Sequence, residues 1–408
     1  MDRQWFYFDN YVYVNNVAPN KVLLYNTLNH DMLTYQNDSI YTFVKELTSI
    51  ENNNIMEVEW NTLHKTNPDV YGFIIEARSH YMGDLLPVPE HGKKPVVFQS
   101  EPMILREGHS YYYQGDSILH NITEMTFYIN ETCSFNCGLC NQYYKQAVCC
   151  HKGDGDKELS CDAILSCLNS LQEASLFKVN ITGGNILAYG SLGKLVEKLN
   201  GFSFKKVYKI NTKHITDIEK LYPILQDSRN TIELLCTDRQ ELENRRIIYT
   251  GLNSENVQIN FFVQSADDLN WIETFCKGQE QNINLTPFYN GDNYKFFQEN
   301  IFVSKEEIKQ VPYKSIKRNS ILNNYFFGSL ICMPNGDVYS NLNDCSLGNI
   351  KKQSVASMVF KELEEGGSWL RIRRNVKPCN ECLYASMCPP LSNYEQAIKK
   401  NNLCTIVK

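Results

Sequence analysis

The chain has 408 residues, 43% of them hydrophobic and 21% charged, with a formal net charge of −6 and a pI near 5.8. That is enough for two or three domains with a sizeable core, and it excludes a disordered tail protein. The acidic balance argues against a general binder of nucleic acid or anionic membrane, and no apolar run approaches the roughly 20 residues that a membrane span needs. The segment Met1–Tyr13 is aromatic and carries Asp2 and Asp9, unlike a secretory signal, so the expected setting is the cytoplasm. Thiols stay reduced there, and the 15 cysteines read as metal ligands before disulfides.

Residues 1–95 are expected to form a small module of their own. Trp5–Tyr13, Lys21–Tyr25 and Met32–Tyr35 read as short strands separated by Asn-rich turns. Ile40, Phe43, Val44 and Leu47 fall at helical spacing, and Asn67-Pro68 offers a cap followed by proline at the first helical position. Pro87–Pro95 reads as a linker. Over residues 120–310 strands alternate with helices. The strands are Met125–Ile129, Phe177–Ile181, Lys206–Ile210, Thr231–Cys236, Val257–Val263 and Ile283–Phe288. The helices are Lys157–Leu171, Leu192–Leu199, Asp217–Leu225, Glu241–Ile248 and Ala266–Phe275. This alternation predicts an α/β layer with a mainly parallel sheet, whose functional loops lie at the C-terminal ends of the strands. Over residues 325–408 the alternation stops. Leu330–Met333 and Val338–Ser340 flank the turn Pro334-Asn335-Gly336-Asp337, a helix follows at Ser354–Glu364, and a cysteine-dense tail closes the chain.

Two groups of cysteines carry the chemistry. Cys133, Cys137 and Cys140 lie within eight residues, directly after the first strand of the α/β layer. Three thiolates on such a loop can hold three irons of a 4Fe–4S cluster and leave the fourth open to a ligand; the alternative is three packing or zinc-binding cysteines. The second group is Cys379, Cys382, Cys388 and Cys404. Four thiolates make a closed site, open equally to a 4Fe–4S cluster or one structural zinc. Cys149 and Cys150 stay open among redox pair, extra ligands and lid residues. Cys161, Cys167, Cys236 and Cys276 read as packing residues, while Cys332 and Cys345 are either packing residues or ligands.

These motifs resemble those of radical SAM enzymes with a C-terminal SPASM domain. The triad matches the C-x3-C-x2-C motif of that family, and Cys379 to Cys404 resemble the SPASM signature. Leu347–Ile350 and Asn335–Tyr339 resemble its LGNI turn and Gly-turn hairpin. The tail around Cys388–Glu395 looks closest to the Bacteroidales GG-leader peptide systems, which include pseudo-radical-SAM members. The resemblance implies an α/β fold with a partial (β/α)6 barrel, an N-terminal PqqD-like winged-helix module that binds a leader peptide, and a C-terminal cysteine-rich SPASM-like domain. It implies a peptide maturase acting on a ribosomally made precursor. One 4Fe–4S cluster on Cys133, Cys137 and Cys140 would bind S-adenosylmethionine (SAM), whose reductive cleavage yields a hydrogen-abstracting 5′-deoxyadenosyl radical. One auxiliary 4Fe–4S cluster would sit on Cys379, Cys382, Cys388 and Cys404. The expected partners are a leader-bearing precursor and an electron donor such as flavodoxin or ferredoxin. The alternative is a pseudo-radical-SAM protein serving as scaffold for a true maturase.

Gly183, Gly184 and Asn185 stand where the family carries a GGE-type motif against the SAM amino group, and Asn211–Lys213 resemble a loop near SAM. Asn185 accepts a hydrogen bond but carries no charge. Leu139 stands where an aromatic is usual, and Ser392 and Asn341 stand where further SPASM cysteines are usual, so a second auxiliary cluster is not expected.

Overall fold

The computed structural model describes residues 3–89, 92–95, 115–141, 144–244, 255–277 and 282–406. Residues 90 and 91 of the expected linker and the side chain of Leu139 fall outside the described residues. The N-terminal part begins with β1 (Arg3–Phe8), β2 (Val12–Val17), β3 (Lys21–Asn26) and β4 (Met32–Gln36). The single strand expected at Trp5–Tyr13 is thus two, because Val12 N–H closes a turn on Asp9 O at 3.0 Å and sends the chain into another sheet. Helix α1 (Asp38–Leu47) follows, capped by Asn37, whose side chain accepts from Ile40 N–H at 3.1 Å. Next come β5 (Ile55–Glu59), α2 (Trp60–Thr66), α3 (Pro68–Ser79) and β6 (Gly83–Pro87). Neither β5 nor β6 was expected: each is five residues long, too short to show a period. They flank β1 in one antiparallel sheet, while β2, β3 and β4 make a second. Phe6, Phe8, Val22, Leu24, Val44, Phe73 and Ile74 share one core between these sheets and the helices.

A nine-stranded sheet organises the rest. Its strands are β7 (Glu124–Tyr128), β8 (Lys178–Thr182), β9 (Lys205–Asn211), β10 (Asn230–Cys236), β11 (Val257–Val263), β12 (Asn282–Pro287), β13 (Ser329–Cys332), β14 (Asp337–Tyr339) and β15 (Gly348–Asn349). The order is β12-β11-β10-β9-β8-β7-β13-β14-β15. Strands β7 to β12 are parallel and add in sequence order, as repeated crossovers of one hand require. Helices α4 (Cys161–Asn169), α5 (Leu192–Leu199) and α6 (Ala266–Cys276) cover one face. The core lies there, with Phe127, Ile181, Tyr208, Leu234 and Phe261 against Leu168, Leu195 and Ile272. The hairpin β13–β14 forms as expected, but β13 also pairs in parallel with β7, so the C-terminal part extends the main sheet.

The N-terminal part is docked on the C-terminal cysteine-rich lobe. Tyr13, Leu23 and Tyr25 pack with Ile308, Ile316, Met387 and Cys388. Asn15 donates to Leu383 O at 2.6 Å, and the Arg374 guanidinium donates to Tyr13 Oη at 2.7 Å and Asn15 Oδ1 at 2.8 Å. Replacing Arg374 by Ala withdraws the donor shared by these two part-buried oxygens. The expected cost is about 1–3 kcal/mol, read as a lower urea midpoint at unchanged slope. An unchanged midpoint would show that the clasp contributes nothing.

Candidate metal centres

The face of the sheet away from the helices is polar. Asn180 donates to Thr126 Oγ1, Lys209 Nζ lies 2.6 Å from Glu233 Oε2, Asn260 donates to Glu233 Oε1 at 2.7 Å, and Thr286 donates to Asn260 Oδ1 at 2.8 Å. This chain of bonds runs across β9, β10, β11 and β12 on side chains that are almost wholly buried on Glu233 and Asn260. Buried charge of this kind persists only when paired and hydrogen-bonded. The signal existed in the sequence: a parallel sheet covered by apolar layers on both faces reads as continuous hydrophobic runs, whereas these strands alternate.

The cysteine triad sits at the C-terminal end of β7. Residues Gly138–Asn141 form one helical turn, and Cys140 N–H bonds Cys137 O at 3.0 Å. The three thiols are partly exposed. Burial raises the Cys137 and Cys140 thiols above the usual range, the Lys213 cation pulls Cys137 back, and the like charges of the triad act on one another. Lys213 is itself held by Asp238 at 3.0 Å. Cys133 Sγ lies 3.6 Å from His214 Nε2, and the His214 ring lies 5.1 Å from the Phe135 ring. Burial brings the imidazole down to about 4, so it is neutral near pH 7. No spacing in the sequence marked His214, because a lone His after a strand has no partner at ligand distance along the chain.

Gly183 and Gly184 brace this loop. A Cβ on Gly183 would stand 2.4 Å from Asn130 Oδ1, and one on Gly184 would stand 2.3 Å from Thr132 O. The close backbone approach that the glycines permit is therefore made by the chain's own segment leading into Cys133. Gly184 N–H bonds Asn130 O at 2.9 Å and Asn185 N–H bonds Thr132 O at 2.7 Å. The Asn185 side chain caps a short 3-10 turn by accepting from Leu187 N–H at 3.1 Å.

The segment after the triad turns onto the polar face. Gln146 makes two bonds to the Tyr289 backbone, and His151 N–H bonds Gly183 O at 2.8 Å. Cys149 is buried with Leu235, Phe262 and Phe288. Cys150 has its carbonyl oxygen 4.0 Å from Cys140 Sγ, and its thiol accepts from Asn211 Nδ2 at 3.4 Å. Asn211 is thus directed at Cys150, and its Oδ1 accepts from Lys213 N–H at 3.0 Å.

The second group surrounds Arg373. Cys379, Cys382, Cys388 and Cys404 lie within electrostatic reach of one another, and burial raises the first three thiols, Cys388 to about 12. Arg373 Nη1 stands 3.7 Å from Cys379 Sγ and 2.6 Å from Glu395 Oε1, and it donates to the carbonyls of Pro389, Pro390 and Asn401. Cys404 is tied to Val303 by a parallel bridge. Ser392 caps α7 (Asn393–Ile398) through Glu395, and Asn341 donates to Asn393 Oδ1 at 2.8 Å, so both positions serve polar contacts. Cys161, Cys167, Cys236 and Cys332 are in the core, Cys276 packs at its margin, and Cys345 is exposed.

The donor chemistry of both groups suits thiolate-bound metal: soft sulfur donors held beside Lys213 in one case and Arg373 in the other. No three Cys, His, Asp or Glu side chains among the described residues converge on a single-ion site. Ligands of a 4Fe–4S cluster stand on separate irons and need no such point of convergence.

Gly184→Ala should drive the Cys133 loop off its backbone anchor, because the new methyl meets backbone, not a movable side chain. The expected loss is about 1–3 kcal/mol, together with less iron bound after anaerobic reconstitution. Gly190→Ala, with no atom within 4 Å of the new methyl, is the control. Equal iron in the two variants would remove the bracing role.

No protein-family model and no curated protein matches the chain. Among solved structures it is similar to Streptococcus suis SuiB bound to precursor peptide SuiA, with a TM-score of 0.50 and 13% identity over 97% of each chain. SuiB bound to S-adenosylmethionine matches with a TM-score of 0.46 and 12% identity over 98% of this chain and 99% of that one. The enzyme anSMEcpe with bound AdoMet matches with a TM-score of 0.45 and 13% identity over 68% of this chain and 91% of that one. From its N-terminal strands to its cysteine-rich tail, the chain has the same fold as SuiB.

Proposed function

We propose that the chain is a radical SAM peptide maturase acting on a ribosomally made precursor. The observation that carries this reading is the gathering of Cys133, Cys137 and Cys140 at the C-terminal end of a parallel strand, beside a polar sheet face. The fold shared with SuiB, solved with its precursor peptide, supports it. A 4Fe–4S cluster on the three thiolates would supply one-electron reductive cleavage of SAM. The chain's own residues do the rest. The Gly183-Gly184 turn fixes the cysteine loop, Lys213 offsets thiolate charge, and the 146–151 segment keeps the inner face dry. Gly183, Gly184 and Asn185 line the side of the loop where SAM would lie. Cys379, Cys382, Cys388 and Cys404 would carry one auxiliary cluster, with Arg373 balancing its thiolates. The electron donor would be a flavodoxin or ferredoxin, and the setting cytoplasmic.

Asn185 favours a second reading, a pseudo-enzyme that binds peptide and serves a true maturase, because its side chain carries no charge and already caps a turn. One experiment separates the two. Anaerobically reconstituted protein given dithionite and SAM should form 5′-deoxyadenosine, and the triple variant Cys133→Ala, Cys137→Ala, Cys140→Ala should lose that product and about one cluster's worth of iron. No product from the iron-loaded wild type selects the scaffold.

The domain division 1–95, 120–310 and 325–408 assigns leader recognition to the first part, as a PqqD-like module. Strand β4 is a sheet edge. Asn26 N–H bonds Asp31 O and Asn37 N–H bonds Asn20 O, so the antiparallel alternation leaves the Met32, Thr34 and Gln36 backbone groups facing outward. An extended leader can pair there. Deleting the module would strip Tyr13, Leu23 and Tyr25 from the C-terminal core, so a point change is the cleaner test. Thr34→Pro removes an outward donor and no internal bond. It should weaken binding of labelled leader peptide about ten-fold or more, while the melting temperature changes little. Equal affinity rejects this edge as the docking site.

A further inference from the structure

The vicinal pair Cys149-Cys150 has two different environments. Cys149 is 3% exposed and faces Leu235, Phe262 and Phe288, which fits packing. Cys150 lies on the triad side. Its carbonyl oxygen is 4.0 Å from Cys140 Sγ, and all three triad thiols act electrostatically on its own thiol. Its position is fixed on both sides: Gln146 is bound to the Tyr289 backbone and His151 to Gly183 O. Asn211, 2% exposed, spends one amide hydrogen on Cys150 Sγ and the other on Thr237 Oγ1 at 3.2 Å. A neutral thiol is a poor acceptor and does not require such a donor. A thiolate does, and amide N–H groups aimed at ligand sulfur are the contacts that orient and tune metal-bound cysteines.

We propose that Cys150 is the fourth thiolate of the centre held by Cys133, Cys137 and Cys140, closing the iron those three leave open until a ligand displaces it. The inference rests on the reading that the triad carries a 4Fe–4S cluster. Forming the iron–sulfur bond releases the Cys150 proton to solvent and moves no electron, so the oxidation state of the cluster is unchanged. A ligand offering an amine and a carboxylate, as SAM does, displaces the thiolate, which takes a proton back from water. The open form is then a fraction of the whole, and the apparent affinity for that ligand falls by that fraction. The cap shields the open iron from oxidants and stray ligands until the ligand arrives.

Mössbauer spectra of reconstituted full-length protein test this. Without SAM, the wild type should show every iron in all-sulfur coordination. Cys150→Ala should convert one iron in four of the triad cluster to nitrogen or oxygen coordination, and should bind SAM about ten-fold tighter. Cys149→Ala should do neither. A distinct iron already present in the SAM-free wild type overturns the proposal, and that spectrum decides the matter even where a variant fails to fold. The reading beneath it fails separately, if Cys133→Ala, Cys137→Ala, Cys140→Ala retains all the wild-type iron.

Discussion

Three pieces of backbone meet at the Gly183-Gly184 turn, and the candidate site depends on that junction. The exit from β7 passes so close that either glycine would clash through a single methyl group. The hydrogen bonds from Gly184 and Asn185 hold Asn130 and Thr132, and the bond from His151 holds the end of the inward segment. Backbone bonds between buried groups are costly to leave unmade, so the three pieces move as one or not at all. Cys133, Cys150 and the cap at Asn185 thereby take fixed places relative to one another, although 50 or more residues separate the first and last of them along the chain.

A second constraint fixes the N-terminal module. Its docking core shares Tyr13, Leu23 and Tyr25 with Ile308, Ile316 and Met387, and the clasp of Asn15 and Arg374 supplies direction. Apolar burial is indifferent to small rotations, whereas the hydrogen bonds are not. The free edge of β4 therefore holds a set orientation toward the cysteine-rich lobe, as a surface must if it is to present one end of an extended chain repeatedly to the same place.

Much of this was legible in the residues. Cysteine spacing marked both thiol groups, and the 2.0 and 3.6 periods placed the parallel strands and α5 and α6 to within a residue or two. The helix expected at Lys157–Leu171 is shorter, because Ser160 caps it at Ala163 and the residues before it form a bridge to Asn130. The break at Asp9–Tyr11 was hidden by an unbroken aromatic run, whose continuity local propensity favours and sheet pairing overrides. What a single sequence could not carry was direction. Nothing in the letters of Cys149-Cys150 says which thiol faces the apolar cluster and which faces the triad. The same holds for His214, which reaches Cys133 only through the tertiary placement of the loop after β9.

The pairing of β13 with β7 joins residues about two hundred positions apart: Thr123 Oγ1 donates to Gly328 O at 3.3 Å across a separation of 205 residues. Until residues near Cys332 have been synthesised, β7 is an edge strand carrying the triad loop. An unpaired edge invites foreign strands, and so remote a contact is slow to form. During translation the chain thus passes through a stage in which the triad is complete in sequence but one flank of its strand is bare. Metal loading at that stage would meet a half-built wall. The ordering favours assembly of the centre after release from the ribosome, once the last third of the chain has closed the sheet.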